Sequence, residues 1–78
     1  MKYFLLVYDK RRGKILEQRE YPVAAASTAL ADRNTSLHEF RGRDVEVVLL
    51  GARSIEDLKK THGRYFRDTA VQRAFAAG

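Results

Sequence analysis

The sequence predicts a single α+β domain in the order strand, strand, helix, strand, helix, or ββαβα. Residues 3–21 contain two strand-like runs separated by a short polar segment with a glycine, which is typical of a β-hairpin. Residues 23–40 have apolar side chains at helical spacing. Residues 44–67 have the pattern of a buried strand, a glycine turn and a capped helix. We expect a three-stranded sheet in the order 2-1-3 with both helices on one face.

The predicted hairpin has one central strand and one edge strand. Residues 3–9 are almost continuously apolar, whereas residues 14–21 mix Ile15 and Leu16 with charged side chains such as Glu17. Charged side chains on an edge strand discourage unwanted pairing with other chains. We therefore expect the first strand at the centre of the sheet and the second at its edge.

The first helix is expected after Pro22, which ends the second strand because it cannot donate a hydrogen bond. Gly42 is expected to terminate this helix through a left-handed backbone conformation. Arg33 lies in the middle of the apolar side, and we expect its charged end to reach a carboxylate such as Glu46. The apolar side, which is predicted to pack inward, consists of Val23, Ala26, Leu30, Leu37 and Phe40.

The third strand and the second helix are the best-specified part of the chain. Residues 45–50 form an apolar run that Gly51 closes. Ser54 followed by Asp57 resembles a capping box, in which the first side chain accepts a hydrogen bond from the backbone three residues later. The second helix is predicted to have an apolar side of Ile55, Leu58, His62, Tyr65 and Phe66, and a basic side of Lys60, Arg64 and Arg67.

The helical phase fails after residue 67, which divides the chain into a domain at residues 1–67 and a tail at residues 68–78. Val71 and Phe75 would lie on the basic side if the second helix simply continued. Two interpretations of the tail stay open: it is helical and docks on a partner subunit, or it is a frayed terminus.

The size of the chain favours self-association. At 78 residues it is close to the lower limit at which a hydrophobic core alone keeps a protein folded, and without cysteine it has no disulfide to help. A homodimer would supply further burial, and we expect its interface at Val48 and Leu50 of the third strand and at Val71 and Phe75 of the tail. No run approaches the ~20 apolar residues of a membrane span, and no secretory signal pattern is found, so we expect a cytoplasmic protein.

Residues for catalysis or for a cofactor are sparse. His38 and His62 lie on different predicted helices, and no His, Cys, Asp or Glu cluster has metal-ligand spacing. We expect no metal, no cofactor, no small-molecule substrate and no catalytic residue. A metal-independent nuclease is a distant alternative, with His62 as general acid or base and with Arg64 or Lys60 stabilising the phosphorane.

The net charge of +5 leaves nucleic-acid binding open as an alternative function. A charged hairpin tip is commonly only solvated, and we rank that interpretation first. Aromatic residues of the first strand, Tyr3, Phe4 and Tyr8, could stack on bases if one sheet face were bare. The candidate backbone contacts are Lys10, Arg11, Arg12 and Lys14 in the hairpin, with Lys60, Arg64 and Arg67 on the second helix.

Three segments, at residues 3–9, 46–52 and 54–66, resemble a group of small uncharacterised proteins, mainly from actinobacteria or their phages. Their sequences here are Tyr-Phe-Leu-Leu-Val-Tyr-Asp, Glu-Val-Val-Leu-Leu-Gly-Ala and Ser-Ile-Glu-Asp-Leu-Lys-Lys-Thr-His-Gly-Arg-Tyr-Phe. The resemblance implies a free-standing single domain and implies no activity, cofactor or catalytic residue. Our first hypothesis is thus a small non-enzymatic interaction module that forms a homodimer in the cytoplasm.

Overall fold

The computed structural model describes residues 1–66 and confirms the predicted α+β fold. The predicted tail, with Val71 and Phe75, lies outside the described residues. In chain order the elements are strand β1 (Lys2–Asp9), strand β2 (Lys14–Pro22), a 3-10 turn (Val23–Ala25), helix α1 (Ala26–Glu39), strand β3 (Val45–Ala52), helix α2 (Ile55–Thr61) and a second 3-10 turn (Gly63–Phe66).

The sheet is antiparallel and has the predicted strand order β2-β1-β3. Leu5 at the middle of β1 lies opposite Arg19 of β2 on one side and Leu49 of β3 on the other. The central position of β1 and the edge position of β2 are therefore confirmed. Between Val7 and Tyr8 the register with β2 shifts, and Leu16 is left as the extra residue of a β-bulge.

The two helices lie on opposite faces of the sheet, so the prediction that they share one face is wrong. Phe4 and Leu6 belong to the cluster that contains Leu58, whereas Leu5 belongs to the cluster that contains Ala29. Successive side chains of a strand point to opposite faces, and residues 4–7 of β1 are all buried. Because β1 is apolar on both faces, each face needs its own cover, and one helix covers each.

Helix α2 and the 3-10 turn after it cover the face that carries Phe4 and Leu6. Leu58 and Tyr65 are buried against these two residues, and the Tyr65 ring meets the Tyr8 ring edge-on with 5.2 Å between centroids. The predicted capping box is confirmed at the start of this helix: Ser54 Oγ accepts a 3.2 Å hydrogen bond from the backbone N–H of Asp57. The α-helix ends at Thr61, earlier than predicted, because His62 leaves the helical backbone region before Gly63.

Helix α1 covers the other face, but with a side that the sequence pattern did not predict. Ala29 and Ser36 are buried, while Leu30 and Leu37, which were predicted to pack inward, are exposed. The buried pair and the exposed pair each have a seven-residue spacing, and the exposed pair lies one position later in the chain. One residue corresponds to about 100° of rotation around a helix, so α1 is turned by about that angle from the predicted orientation. The small inward side chains let the helix lie close to the sheet.

Candidate interaction surfaces

An exposed apolar stripe runs along the outward side of α1 and the turn before it. We call Val23, Leu30 and Leu37 the leucine stripe; their exposed fractions are 54%, 47% and 46%. Among residues 1–66 only two other large apolar side chains are exposed, Met1 and Leu16. A seven-residue spacing keeps side chains near one line along a helix, as in helices that pair with another helix. Leu30 and Leu37 therefore lie near one line along α1, and Val23 extends the stripe from the 3-10 turn before it.

The exposed residues around the leucine stripe carry no charge, and the nearest cation, the half-buried Arg33, lies between Leu30 and Leu37 on the same side of α1. Ten residues between positions 23 and 38 are exposed, and none of them is Asp, Glu, Lys or Arg, although 32% of the whole chain is charged. Protein interfaces are depleted of charge at their centres, whereas ordinary solvated helix faces are rich in it. The other exposed members of this surface are Ala24, Ser27, Thr28, Ala31, Asn34, Thr35 and His38.

A long-range hydrogen bond fixes the orientation of α1. The hydroxyl of Tyr21 on β2 donates to Asp32 Oδ2 at 2.7 Å, and Arg19 Nη1 approaches the same oxygen at 3.5 Å. Burial raises the pKa of Tyr21, and the hydrogen bond to Asp32 adds to that increase. Since Asp32 is held toward the sheet, Leu30 and Leu37 are held away from it.

The predicted contact between Arg33 and Glu46 is wrong, because the two residues lie on opposite sides of the sheet. Glu46 lies on the α2 side, where its carboxylate accepts hydrogen bonds from Arg64 at 2.7 Å and from the Tyr65 hydroxyl at 2.6 Å. Arg33 lies on α1 and donates from Nη2 to Asn34 Oδ1 at 3.1 Å. Burial, followed by the hydrogen bond to Glu46, raises the pKa of Tyr65.

A second candidate surface forms where two loops meet at one end of the sheet. The backbone N–H of Lys10 in the β1–β2 loop donates to the Asp44 carbonyl in the α1–β3 loop at 3.2 Å. Both loops are rich in cations, and we call the resulting surface, residues 9–14 and 39–44, the basic end. Its cations are all exposed and are Lys10, Arg11, Arg12, Lys14, Arg41 and Arg43.

Sequence reasoning identified the hairpin half of the basic end and missed Arg41 and Arg43. The available signal was the strand order, since an antiparallel β3 beside β1 must begin where β1 ends. Asp9, the last residue of β1, lies opposite Val45, the first of β3. The residues just before Val45 are therefore brought to the hairpin loop.

The basic residues predicted on the second helix differ in their surroundings. Lys60 borders a shallow groove beside Arg53 and Asp57. Arg64 is occupied by the ion pair with Glu46 and by the Tyr65 ring, whose centroid lies 4.6 Å from its guanidinium carbon. Arg67 lies outside the described residues. A shared role of Lys60, Arg64 and Arg67 in nucleic-acid binding stays a prediction.

The described sheet has no bare face for the predicted base stacking, because α2 covers the face of Phe4 and Tyr8 and α1 covers the face of Tyr3. Phe4 is fully buried and Tyr8 packs against Tyr65. His62 follows the end of α2 and is half-buried, and its role as a nuclease acid or base stays a prediction. Within residues 1–66 no group of three or more His, Asp or Glu side chains could hold a metal ion.

Two of the predicted interface residues pack within their own chain. The half-buried Val48 and Leu50 of β3 contact the cluster around Leu58. Their part in an oligomer interface stays a prediction, as does that of Val71 and Phe75, which the structure does not describe.

Comparisons with known proteins give no further guide to the role of either surface. No helix within residues 1–66 has both the length and the apolar character that crossing a membrane requires. No protein-family model matches the chain, and neither a curated protein nor a solved structure is significantly similar to it.

Proposed function

We propose that this protein is a small non-enzymatic interaction module of the cytoplasm that forms a homodimer through the outward side of α1. The observation that carries the proposal is the orientation of this helix, which buries Ala29 and Ser36 and leaves Leu30 and Leu37 in water. Exposing large apolar side chains costs free energy, at roughly 25 cal/mol per Å² of apolar surface left unburied. A partner that covers the leucine stripe recovers that free energy.

A second copy of this chain is the partner that fits the stripe best. Leu30 lies seven residues from both Val23 and Leu37, so the stripe is symmetric about its middle. In an antiparallel two-fold pair, Leu30 meets the partner's Leu30, and Val23 meets the partner's Leu37. Ser27 and Ala31 beside Leu30 are small and leave holes for the facing leucine.

The charge distribution favours the same arrangement. Two copies of a chain with a net charge of +5 repel each other, and contact through a surface whose exposed residues are uncharged keeps that repulsion weak. The carboxyl end of α1 leads into the basic end. An antiparallel helix pair places the two basic ends at opposite ends of the dimer, whereas a parallel pair would bring them together.

Sedimentation equilibrium at micromolar concentration tests this proposal. The wild-type chain is expected to sediment as a dimer, and the double variant Leu30→Gln, Leu37→Gln as a monomer. Glutamine is a good helix former and keeps the net charge, so circular dichroism should show an unchanged fold. Leu16→Gln is the matched control, since Leu16 is also exposed, at 37%, but lies on the β2 bulge away from α1. A monomeric wild type, or a dimer that survives the double substitution, would contradict the proposal.

A further inference from the structure

We infer that the basic end is a second, separate site, which binds the phosphate backbone of duplex nucleic acid. This site does not depend on self-association, because it uses residues at one end of the sheet rather than the outward side of α1. The observation that carries it is the convergence of Arg41 and Arg43 with the cationic hairpin, which joins two segments far apart in the sequence.

Most of the net positive charge of residues 1–66, which contain thirteen cations and nine carboxylates, is concentrated there. The two segments contain six cations and three carboxylates, Asp9, Glu39 and Asp44, which gives a net charge of +3. One carboxylate oxygen of Asp9 is hydrogen-bonded within the loop: its Oδ1 accepts from the backbone N–H groups of Arg11 and Arg12 at 3.0 and 3.1 Å. Its carboxylate thus shapes the hairpin loop.

The cations of the basic end are only weakly engaged within the protein. The Lys10 ammonium lies 4.0 Å from Asp44, and Arg12 Nε lies 3.8 Å from Asp9. Within residues 1–66, Arg11, Lys14 and Arg43 form no salt bridge, and Arg41 Nη2 lies 3.2 Å from the ring nitrogen Nδ1 of His38. Arg64 differs, because its guanidinium lies 2.7 Å from Glu46. The exposed cations at the basic end are therefore available to an external anion at little cost.

The two loops form a cleft rather than a convex tip. Gly13 and Gly42 have φ angles of 68° and 81°, in the region that favours glycine, so each loop turns sharply. The backbone bond between Lys10 and Asp44 joins the loops. The cleft between them is lined by Asp9, Arg11, Arg12, Gly42, Arg43, Asp44 and Val45.

The lining of this cleft favours a nucleic acid over a protein or a membrane. Only Val45 among the lining residues has a large apolar side chain, whereas protein interfaces depend on buried apolar or aromatic anchors. Three of the seven lining residues are Arg and two are Asp, and the planar guanidinium groups of Arg bind phosphate oxygens in pairs. Nucleic acid supplies such phosphates at high density and releases counterions when cations bind.

The absence of an exposed aromatic platform favours a duplex over a single strand. Single-strand binding depends on bases that stack on exposed aromatic rings. The large apolar side chains exposed within residues 1–66 include no aromatic one. At the basic end Phe40 is half-buried, and the Arg43 guanidinium carbon lies 5.0 Å from its ring centroid. Affinity must come from phosphate contacts, which a duplex presents at the higher charge density.

Fluorescence anisotropy with a labelled 20-base-pair DNA duplex of arbitrary sequence, titrated at several salt concentrations, tests the site. The wild-type chain is expected to bind with an affinity that falls steeply with salt. In the variant Arg11→Gln, Arg43→Gln, the slope of log affinity against log salt should decrease by about 2. The control variant Arg53→Gln, Lys59→Gln removes the same charge at exposed positions outside both predicted binding sets and should bind like wild type.

Three results would overturn the inference. These are no binding to the duplex at about 50 mM salt, equal weakening by the two variants, or competition by poly-glutamate or anionic vesicles as strong as that by unlabelled duplex. The variant Leu30→Gln, Leu37→Gln separates this site from self-association. As a monomer it should still bind the duplex with the same dependence on Arg11 and Arg43.

Discussion

The two faces of the sheet are covered by helices that use their side chains in opposite ways. On one face, α2 buries its largest apolar residue, Leu58, together with Tyr65 from the turn that follows. On the other face, the longer helix α1 buries only Ala29 and Ser36 and leaves its leucines outside. The shorter helix thus contributes a large side chain to the core. The longer helix covers the sheet with small side chains and leaves its large ones exposed. Helical spacing of apolar residues therefore identifies an apolar side but not what that side contacts.

Each face also has one tyrosine that donates to a carboxylate beside an arginine. Tyr21 donates to Asp32 near Arg19, and Tyr65 donates to Glu46 near Arg64. On the α1 face the carboxylate comes from the helix itself, so the hydrogen bond controls the rotation of that helix. On the α2 face the carboxylate comes from β3, and the rotation of α2 is fixed by Leu58 instead.

Truncation of one buried and one exposed leucine should give the largest difference in stability between the two faces. Leu58→Ala removes a fully buried side chain and should lower the free energy of unfolding by about 3 kcal/mol. Leu30→Ala, at a position 47% exposed, should lower it by less than about 0.5 kcal/mol when the protein is dilute enough to be monomeric. Urea denaturation measures both. Equal losses would contradict the difference between the faces.

Enlarging a residue tests how closely α1 lies against the sheet. Ala29→Leu places a large side chain at a fully buried position and should cost about 2 kcal/mol. Ala31→Leu adds the same volume at an exposed position of the same helix and should change the stability by less than about 0.5 kcal/mol when the protein is dilute enough to be monomeric. If Ala29→Leu were neutral in urea denaturation, the close packing of α1 would be refuted.

Removal of the two tyrosine hydroxyls should weaken both faces by similar amounts. Tyr21→Phe and Tyr65→Phe each remove a hydrogen bond to a carboxylate, at a cost of about 1.5 kcal/mol near pH 7. Tyr3→Phe is the matched control, since the Tyr3 hydroxyl forms no hydrogen bond within residues 1–66. Comparable destabilisation by all three substitutions would contradict a stabilising role for the hydrogen bonds of Tyr21 and Tyr65.

The same variants test the pH dependence of stability. Folding raises the pKa of both tyrosines, so their contribution is fully present below the ordinary tyrosine pKa of about 10 and is lost as pH rises through the folded value. Wild-type stability should therefore fall more steeply above about pH 10 than that of Tyr21→Phe or Tyr65→Phe. Urea denaturation at a series of alkaline pH values measures this; parallel curves would contradict it.

Helix capping should give the smallest difference. Ser54→Ala removes the side-chain acceptor at the start of α2 and should cost about 1 kcal/mol. Helix α1 has no side-chain cap, and its exposed Ser27→Ala should be neutral or slightly stabilising because alanine is the better helix former. Thermal unfolding compares the two, and equal shifts would argue against the cap.

Local pattern predicted the elements better than their packing. The hairpin and the Ser54 cap depend on neighbouring residues, and both are found as expected. The orientation of α1 depends on Asp32 reaching Tyr21, a contact between two elements that helical spacing does not reveal. For the same reason only half of the basic end was predicted. Arg41 and Arg43 join the hairpin only once β3 is placed beside β1.

Cross-linking at Leu30 tests the central claim, that the outward side of α1 is the dimer interface. The chain has no cysteine, so Leu30→Cys introduces the only thiol, and Leu16→Cys provides the control at another exposed leucine. In an antiparallel pair the axes of the two α1 helices lie about 8–10 Å apart, within reach of a short bismaleimide. We expect Leu30→Cys to yield covalent dimers at micromolar concentration and Leu16→Cys to remain monomeric on a denaturing gel. Covalent dimers from Leu16→Cys alone, or from neither variant, would contradict the claim.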